Sequence, residues 1–426
     1  MTGRSRLRLG RRQTIGVAFG LLGAYLVGYV ASNLDDARKT VTFERPPDPA
    51  HLSFSPTAVV STIGTVFLVT AVASFFERRS KRLVRVLLGV SAALCIPLVI
   101  VVALALSDSP STNVMQLLVE SLKLSCPVAL GAMAGLWCER AGVVNIGIEG
   151  MMLASAAIGF MVYAVVGDAS STGALWLAVG AAVLTGGLVA LLHAALSVTF
   201  RVDQIISGVV INLLALGGTG FIRSEVIVPH GVPTGVPTGE IGLPLLSEIP
   251  IVGEQLFTGK PIFFGMFVVV AGSAVVLFRT RFGLRVRSCG EHPHAAETLG
   301  IDVIRIRYLA VIIGGLVAGL AGAWFSLESQ AGFEDNMTNG AGFIALAALI
   351  FGRWRPGTAL LGALLYGFAR ALGSRLQLLG VEVGSFEIPS EFWQSLPFVV
   401  TVVVVAGAVG RASPPAADGV PFERSR

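Results

Sequence analysis

From one end to the other, the chain is cut into long runs that carry almost no charge. They occupy residues 15–31, 58–76, 84–106, 114–137, 149–166, 174–198, 204–221, 261–278, 308–327, 341–352, 357–378 and 394–410. A helix needs roughly 18 or more such residues to cross a ~30 Å hydrocarbon layer. Lipid offers no hydrogen-bond partner to a backbone left outside a helix or a closed barrel. These runs therefore predict an all-α polytopic transmembrane helical bundle of about 11 spans, within a range of roughly 10–12. The run at 341–352 is short for a full crossing and stops at the polar knot GRWRPG (352–357), so it reads as a partial helix. Only 13% of the 426 residues are charged, about half the roughly 25% of a soluble chain. The 51 glycines suit helices that associate by close packing and not by exclusion from water.

The net charge of +5 is not the signature of a nucleic-acid binder, because the basic residues sit in short segments between apolar runs. Five Arg lie in residues 4–12, five Lys or Arg in 77–85 and six Arg in 279–307. The alternate connections 32–57, 167–173, 328–340 and 380–391 carry few. Basic segments stay on the cytoplasmic side, which places both termini in the cytoplasm of a multi-pass cell-membrane protein. The N-terminus resembles a secretory signal, but no small-x-small site precedes Asp35–Asp36, so the first span reads as uncleaved. Residues 1–111, with three spans, form an N-terminal extension; 112–410 form the core, containing the cytoplasmic segment 279–307, and 411–426 form a cytoplasmic tail.

The interruptions carry the chemistry. CERAGVVNIGIEGMML (138–153) places Glu139, Arg140, Asn145 and Glu149 between two apolar runs, with Gly142, Gly147 and Gly150 among them. Charges at mid-bilayer are costly. The segment is thus either a solvated turn with Glu139 and Arg140 paired, or a broken helix near 142–150 whose freed backbone and Asn145 meet a polar solute. Gln204, Ser207 and Asn212 recur at near-helical spacing; they line such a path or bind neighbouring helices. In 278–310, Pro293 suits a helix start and Gly300 a stop. The short helix between them, with small Ala295 and Ala296, needs a surface to rest on. That surface is a cytoplasmic partner or the lipid headgroups. Glu120 and Lys123 are spaced to pair on one face. His193 reads as a satisfied helix-facing histidine, Trp354 as an interface anchor, and Arg370 and Arg375 as reaching the interface.

Other chemistry is not indicated. Cys95, Cys126, Cys138 and Cys289 form no close pair, and His292 and His294 lack partners at metal spacing. No G-x-x-x-x-G-K-[ST] loop occurs, so the chain is not expected to be an enzyme and any ATP hydrolysis belongs to another subunit.

ERAGVVNIGIEGMML, VDQIISGVVINLLA (202–215), GEHPHAAETLGI (290–301) and GFIALAALIFGRWRPGTALLGALLYG (342–367) occur in that order. The chain thereby resembles, over about residues 112–410, the permeases of nucleoside and simple-sugar ABC importers in the ribose/branched-chain amino acid permease superfamily. The resemblance implies import of a nucleoside or simple sugar by alternating access. It implies that the broken helix at 142–150, with Gly142, Gly147 and Gly150, lies near the translocation path, for which Asn145, Glu149, Gln204, Ser207 and Asn212 are the candidate residues. It also makes 290–301 the coupling helix, with Glu291, Pro293, Ala295, Ala296, Glu297 and Gly300 docking on the ATPase. The implied partners are a cytoplasmic ABC ATPase that uses ATP and Mg, a paralogous permease and an external lipoprotein receptor; no cofactor is expected on this chain. The rival reading is a stand-alone secondary transporter or channel, which requires an acidic or histidine relay within the membrane.

Overall fold

A computed structural model describes residues 10–34, 37–43, 51–76, 81–107, 109–166, 172–229, 239–249, 253–379, 382–383, 386–400 and 412–424. Helices dominate. We label them α1 (Arg12–Asn33), α2 (Pro56–Phe75), α3 (Lys81–Ala105), α4 (Val114–Arg140), α5 (Ile148–Val166), α6 (Thr172–Thr199), α7 (Gln204–Ile227) and α8 (Pro261–Arg279). The short α9 (Arg281–Glu291) and α10 (Pro293–Thr298) follow, then α11 (Val303–Ser329), α12 (Ala341–Phe351) and α13 (Pro356–Leu378). Among the described residues, α1–α8 and α11 make nine helices long and apolar enough to cross a membrane. The expectation of about 11 spans is met only this far: α12 is short, α13 carries Arg370 and Arg375, and residues 401–410 of the last run lie outside the described residues. The repeated GVPTGVPTG at 231–239, which reads from sequence as turns, also falls largely outside them.

Local chemistry sets the helix ends. Ser55 Oγ accepts from Ala58 N at 3.2 Å ahead of α2. Asp203 Oδ1 accepts from Ile205 N and Ile206 N at 2.9 and 3.0 Å ahead of α7. Asp302 Oδ1 accepts from Arg305 N at 3.1 Å ahead of α11. Each side chain satisfies amides that the first turn leaves without a partner.

The chain divides into two compact units, residues 1–117 with 372–395 and residues 118–371 with 396–426. In the first, α1 packs on α2 at Gly23 and Gly64, and Phe19 meets Phe67 at 5.0 Å. Residues 39–42, 51–54 and 111–113 form a small sheet, antiparallel on one side and parallel on the other. Lys39 is buried there, its Nζ donating to Ser107 O and Ser109 O at 2.8 and 3.1 Å. Arg375 donates from Nε to Thr112 Oγ1 at 2.9 Å, so it is held by protein where sequence suggested the interface.

The second unit is built around α4, α5, α6 and α11. The α6–α11 seam is glycine on backbone: a Cβ on Gly186 would lie 2.3 Å from Gly315 O, and one on Gly319 2.6 Å from Ala182 O. Such approach supplies the van der Waals contact that helix association in lipid depends on. Cys126, Cys138 and Cys289 are buried free thiols.

Candidate functional site

The motif at 138–150 folds as an interruption. α4 ends at Arg140 and α5 begins at Ile148, with residues 141–147 non-helical and mostly buried. Gly150 already lies inside α5, so the break is shorter than sequence suggested. Gly142 turns the chain at φ +83°, where a side chain would be strained. A Cβ there would also lie 2.8 Å from Arg307 Nη2 and 3.0 Å from Ala417 O.

Buried backbone freed from a helix must find other partners, and α6 and α7 provide them. Gln204 Oε1 accepts from Val144 N at 2.7 Å. Asn212 Oδ1 accepts from Gly150 N at 2.8 Å and its Nδ2 donates to Ile146 O at 3.1 Å. His193 places Nε2 3.0 Å from Val144 O and Nδ1 3.0 Å from Ser207 Oγ. A carbonyl only accepts, so Nε2 carries a proton, and Nδ1 pairs with the Ser207 hydroxyl. Gln204, Ser207 and Asn212 thus converge on the break as a clasp. The approach is close, since a Cβ on Gly208 would lie 2.8 Å from Gly147 N.

Asn145 is fully buried beside this clasp. Its Nδ2 reaches only sulfur, Cys138 Sγ at 3.4 Å and Met151 Sδ at 3.6 Å. Asn145 Oδ1 and Gln204 Nε2 are buried with no hydrogen-bond partner.

Glu149 has a different role. Its carboxylate accepts from Thr338 Oγ1 at 2.6 Å, Gly340 N at 2.8 Å and Gly342 N at 2.5 Å. It therefore caps the N-terminus of α12, where a negative charge also meets the favourable end of the helix dipole. At 11 residues, α12 spans only ~16 Å, about half a bilayer. Arg370 lies within electrostatic range of the same carboxylate, where sequence sent it to the interface. Glu328 repeats the arrangement, accepting from Ile262 N and Phe263 N at 2.7 and 3.0 Å to cap α8.

Glu139 and Arg140 are not a solvated pair. Both grip Trp354: its indole Nε1 donates to Glu139 Oε2 at 2.5 Å, and Arg140 Nε and Nη2 donate to its carbonyl at 3.0 and 2.7 Å. Trp354 is 5% exposed, so it is a buried ligand of the motif and not an interface anchor. Arg353 and Trp354 sit at φ +50° and +53°, a strained turn that these bonds hold in place. Arg140 Nη1 lies 3.8 Å from Glu291 Oε1, linking the break to the end of α9.

Pro293 opens α10 and Gly300, at φ +80°, ends its turn. Ile301 N donates to Ala296 O at 3.1 Å. Ala296 is buried at 2%, while Ala295 and Leu299 face outward, Leu299 81% exposed. Glu291 is exposed but engaged by Arg140, and Glu297 is half-buried. Of the six residues assigned to this helix from sequence, Ala295 and Gly300 are thus the exposed ones away from the Arg140 contact. Sequence reasoning passed over Leu299, Trp354 as a bond partner, and Arg307. Arg307, 1% exposed, donates from Nε to Ala141 O at 3.1 Å; in the sequence it is the last arginine of the basic segment 279–307, just ahead of the apolar run 308–327. No group of three or more His, Cys, Asp or Glu among the described residues has the arrangement of a metal site.

Residues 117–405 match the protein family described as branched-chain amino acid transport system / permease component. The chain is 38% identical to the guanosine ABC transporter permease protein NupQ of Bacillus subtilis, over 72% of this chain and 96% of the relative. It is 37% identical to the nucleoside ABC transporter permease protein NupC of Lactococcus lactis, over 74% and 99%. A second guanosine permease of B. subtilis, NupP, is 27% identical over 67% and 78%.

Proposed function

Because the chain belongs to the branched-chain amino acid transport system / permease component family, we propose that this ABC importer permease carries a nucleoside inward through the bundle of α4–α8 and α11–α13. The observation behind the path is the buried break at 141–147, whose backbone is held by side chains of α6 and α7 and not by its own helix. Asn145 Oδ1 and Gln204 Nε2 stand there without partners. Buried polar atoms are ordinarily paired, so this free acceptor and this free donor are the groups that a polar solute such as a sugar hydroxyl would satisfy. Glu149, Ser207 and Asn212 hold the walls of that path.

ABC permeases are not themselves catalytic, and work with an ATPase and a substrate-binding partner. In our reading α10 meets the ATPase through Ala295 and Leu299. Movement of α10 passes through Glu291 and Arg140 to Trp354 and the break, opening the path alternately to each side. The two termini and α9–α10 lie in the cytoplasm, a lipoprotein receptor delivers the solute outside, and a paralogous permease completes a heterodimer. That two guanosine permeases of one organism, NupQ and NupP, both resemble this chain supports the pairing.

The test is uptake of labelled guanosine into vesicles holding the assembled importer. Uptake should require ATP and receptor and should be competed by other nucleosides. Competition by free ribose but not by nucleosides would reassign the solute. Uptake that persists without the ATPase would replace the importer reading with a secondary transporter.

A further inference from the structure

Residues 412–424, ASPPAADGVPFER, lie beyond the stretch that matches the family and fold back onto the second unit. Pro415, Ala417 and Phe422 are buried. Ala417 N donates to Gly290 O at 2.8 Å, and Ala416 N to Glu291 Oε2 at 3.2 Å, fastening the tail to the end of α9. Phe422 lies against the His294 ring of α10, with centroids 5.2 Å apart. Arg307 Nη1 donates to Val420 O at 3.0 Å while its Nε holds Ala141 O in the break. Glu423 pairs with Arg201 at 2.6 Å in the turn before α7, and Arg424 lies 3.5 Å from Asp302 at the start of α11.

A 13-residue segment gives up much conformational freedom in docking, and three of its residues are prolines, which lower that loss. Its contacts are also selective. They reach the break, the turn before α7, α9–α10 and the start of α11, yet leave Ala295, Thr298 and Leu299 on the outer side of α10 exposed.

We propose that residues 412–424 are a strap that positions the α9–α10 segment against the helix break, so that motion of α10 is passed to the break. This rests on the reading of α10 as the ATPase contact. Because the strap backs α10 and leaves its outer side open, it acts as a second link beside the Arg140–Glu291 pair and not as a plug over the docking surface. Phe422, Ala417 and Arg307 are positioning residues in this scheme.

The experiment compares the reconstituted importer with versions lacking residues 412–426 or carrying Phe422→Ala. Guanosine moved per ATP hydrolysed, receptor-stimulated ATP hydrolysis and ATPase co-purification are measured together. The strap predicts that the ATPase still co-purifies and hydrolyses ATP, while guanosine moved per ATP falls at least fivefold. A synthetic peptide of residues 412–424 should restore it to the truncated version. If truncation dissolves the complex, Phe422→Ala and the peptide decide. An unchanged ratio in both variants overturns the strap, and so does a raised one, which is the mark of a plug. If the unmodified importer shows no ATP-driven uptake, the transport reading itself fails, a separate outcome.

Discussion

Glu149 makes a point about single residues in lipid. A carboxylate inside a membrane is expensive unless every lone pair is occupied, and this one takes a hydroxyl and two amides at 2.5–2.8 Å. Glu149→Gln keeps the size but turns one acceptor into a donor facing Gly340 N or Gly342 N. Leaving a buried amide without its acceptor costs about 1–3 kcal/mol. We expect a lower unfolding temperature in detergent and at least a tenfold loss of guanosine uptake. Uptake and stability close to the parent would remove Glu149 as the cap of α12. The sequence singled out this residue, but the Glu-x-x-x… spacing says nothing about a partner near residue 340. That pairing exists only once α12 has come alongside α4 and α5. Asn145 illustrates the reverse: its place in the break was readable, and its lack of an oxygen partner was not.

At the scale of elements, α10 separates an inner from an outer side. Ala296 is enclosed and Leu299 is exposed. Ala296→Leu overfills a packed site, at a cost of about 1–3 kcal/mol, and should lower thermal stability. Leu299→Asp should leave the melting temperature within a degree or two and weaken ATPase co-purification. Equal effects of the two on co-purification would mean that the outer side is not the contact. The tail brings a pH dependence. Asp418 faces Cys138 and Glu139 on α4 and Arg307 on α11. Burial, against the pull of Arg307 and the Gly419 amide, pushes its carboxyl up to about 7. A released tail has a carboxyl near 4, so docking favours the protonated acid. Docking is strongest below roughly pH 4, weakens as pH rises toward about 7, and is flat above that. Limited proteolysis of the tail should accelerate from pH 5 to 7 in the parent more than in Asp418→Asn. Matching slopes would place the cause elsewhere. Helix starts such as Pro293 and stops such as Gly300 were legible because they rest on local backbone chemistry. The tail was not: the sequence offers no more than a cytoplasmic tail at 411–426, and its order comes from six partners scattered between residues 201 and 307.

For the molecule as a whole, the sequence announced a helical bundle through run lengths alone, since that inference needs only the thickness of a bilayer. The number of crossings was harder: the short run 341–352 was legible as a partial helix, but α13 carries two arginines and residues 401–410 lie outside the described residues, so nine candidate spans stand among the described residues. The tail and α9–α10 meet at one end of the second unit, so the C-terminus and residues 281–298 must share a side of the membrane. Reporter fusions at the C-terminus, at residue 5 and within residues 44–50 should read cytoplasmic, cytoplasmic and external. A C-terminal fusion reading external would refute the orientation.

The glycine seam between α6 and α11 has a mechanical meaning. Backbones that pass so closely that one methyl group would collide with a carbonyl at 2.3 Å cannot roll or slide past each other without first separating. Those two helices therefore behave as a keel. The clasp on the break and the cap on α12 add side-chain hydrogen bonds, which can pass from one partner to another as long as no buried group is left unpaired. We expect rocking of this permease to be taken up outside that seam, with α7 turning against it. Spin labels across the seam should report one distance through the transport cycle, while labels on α7 report two.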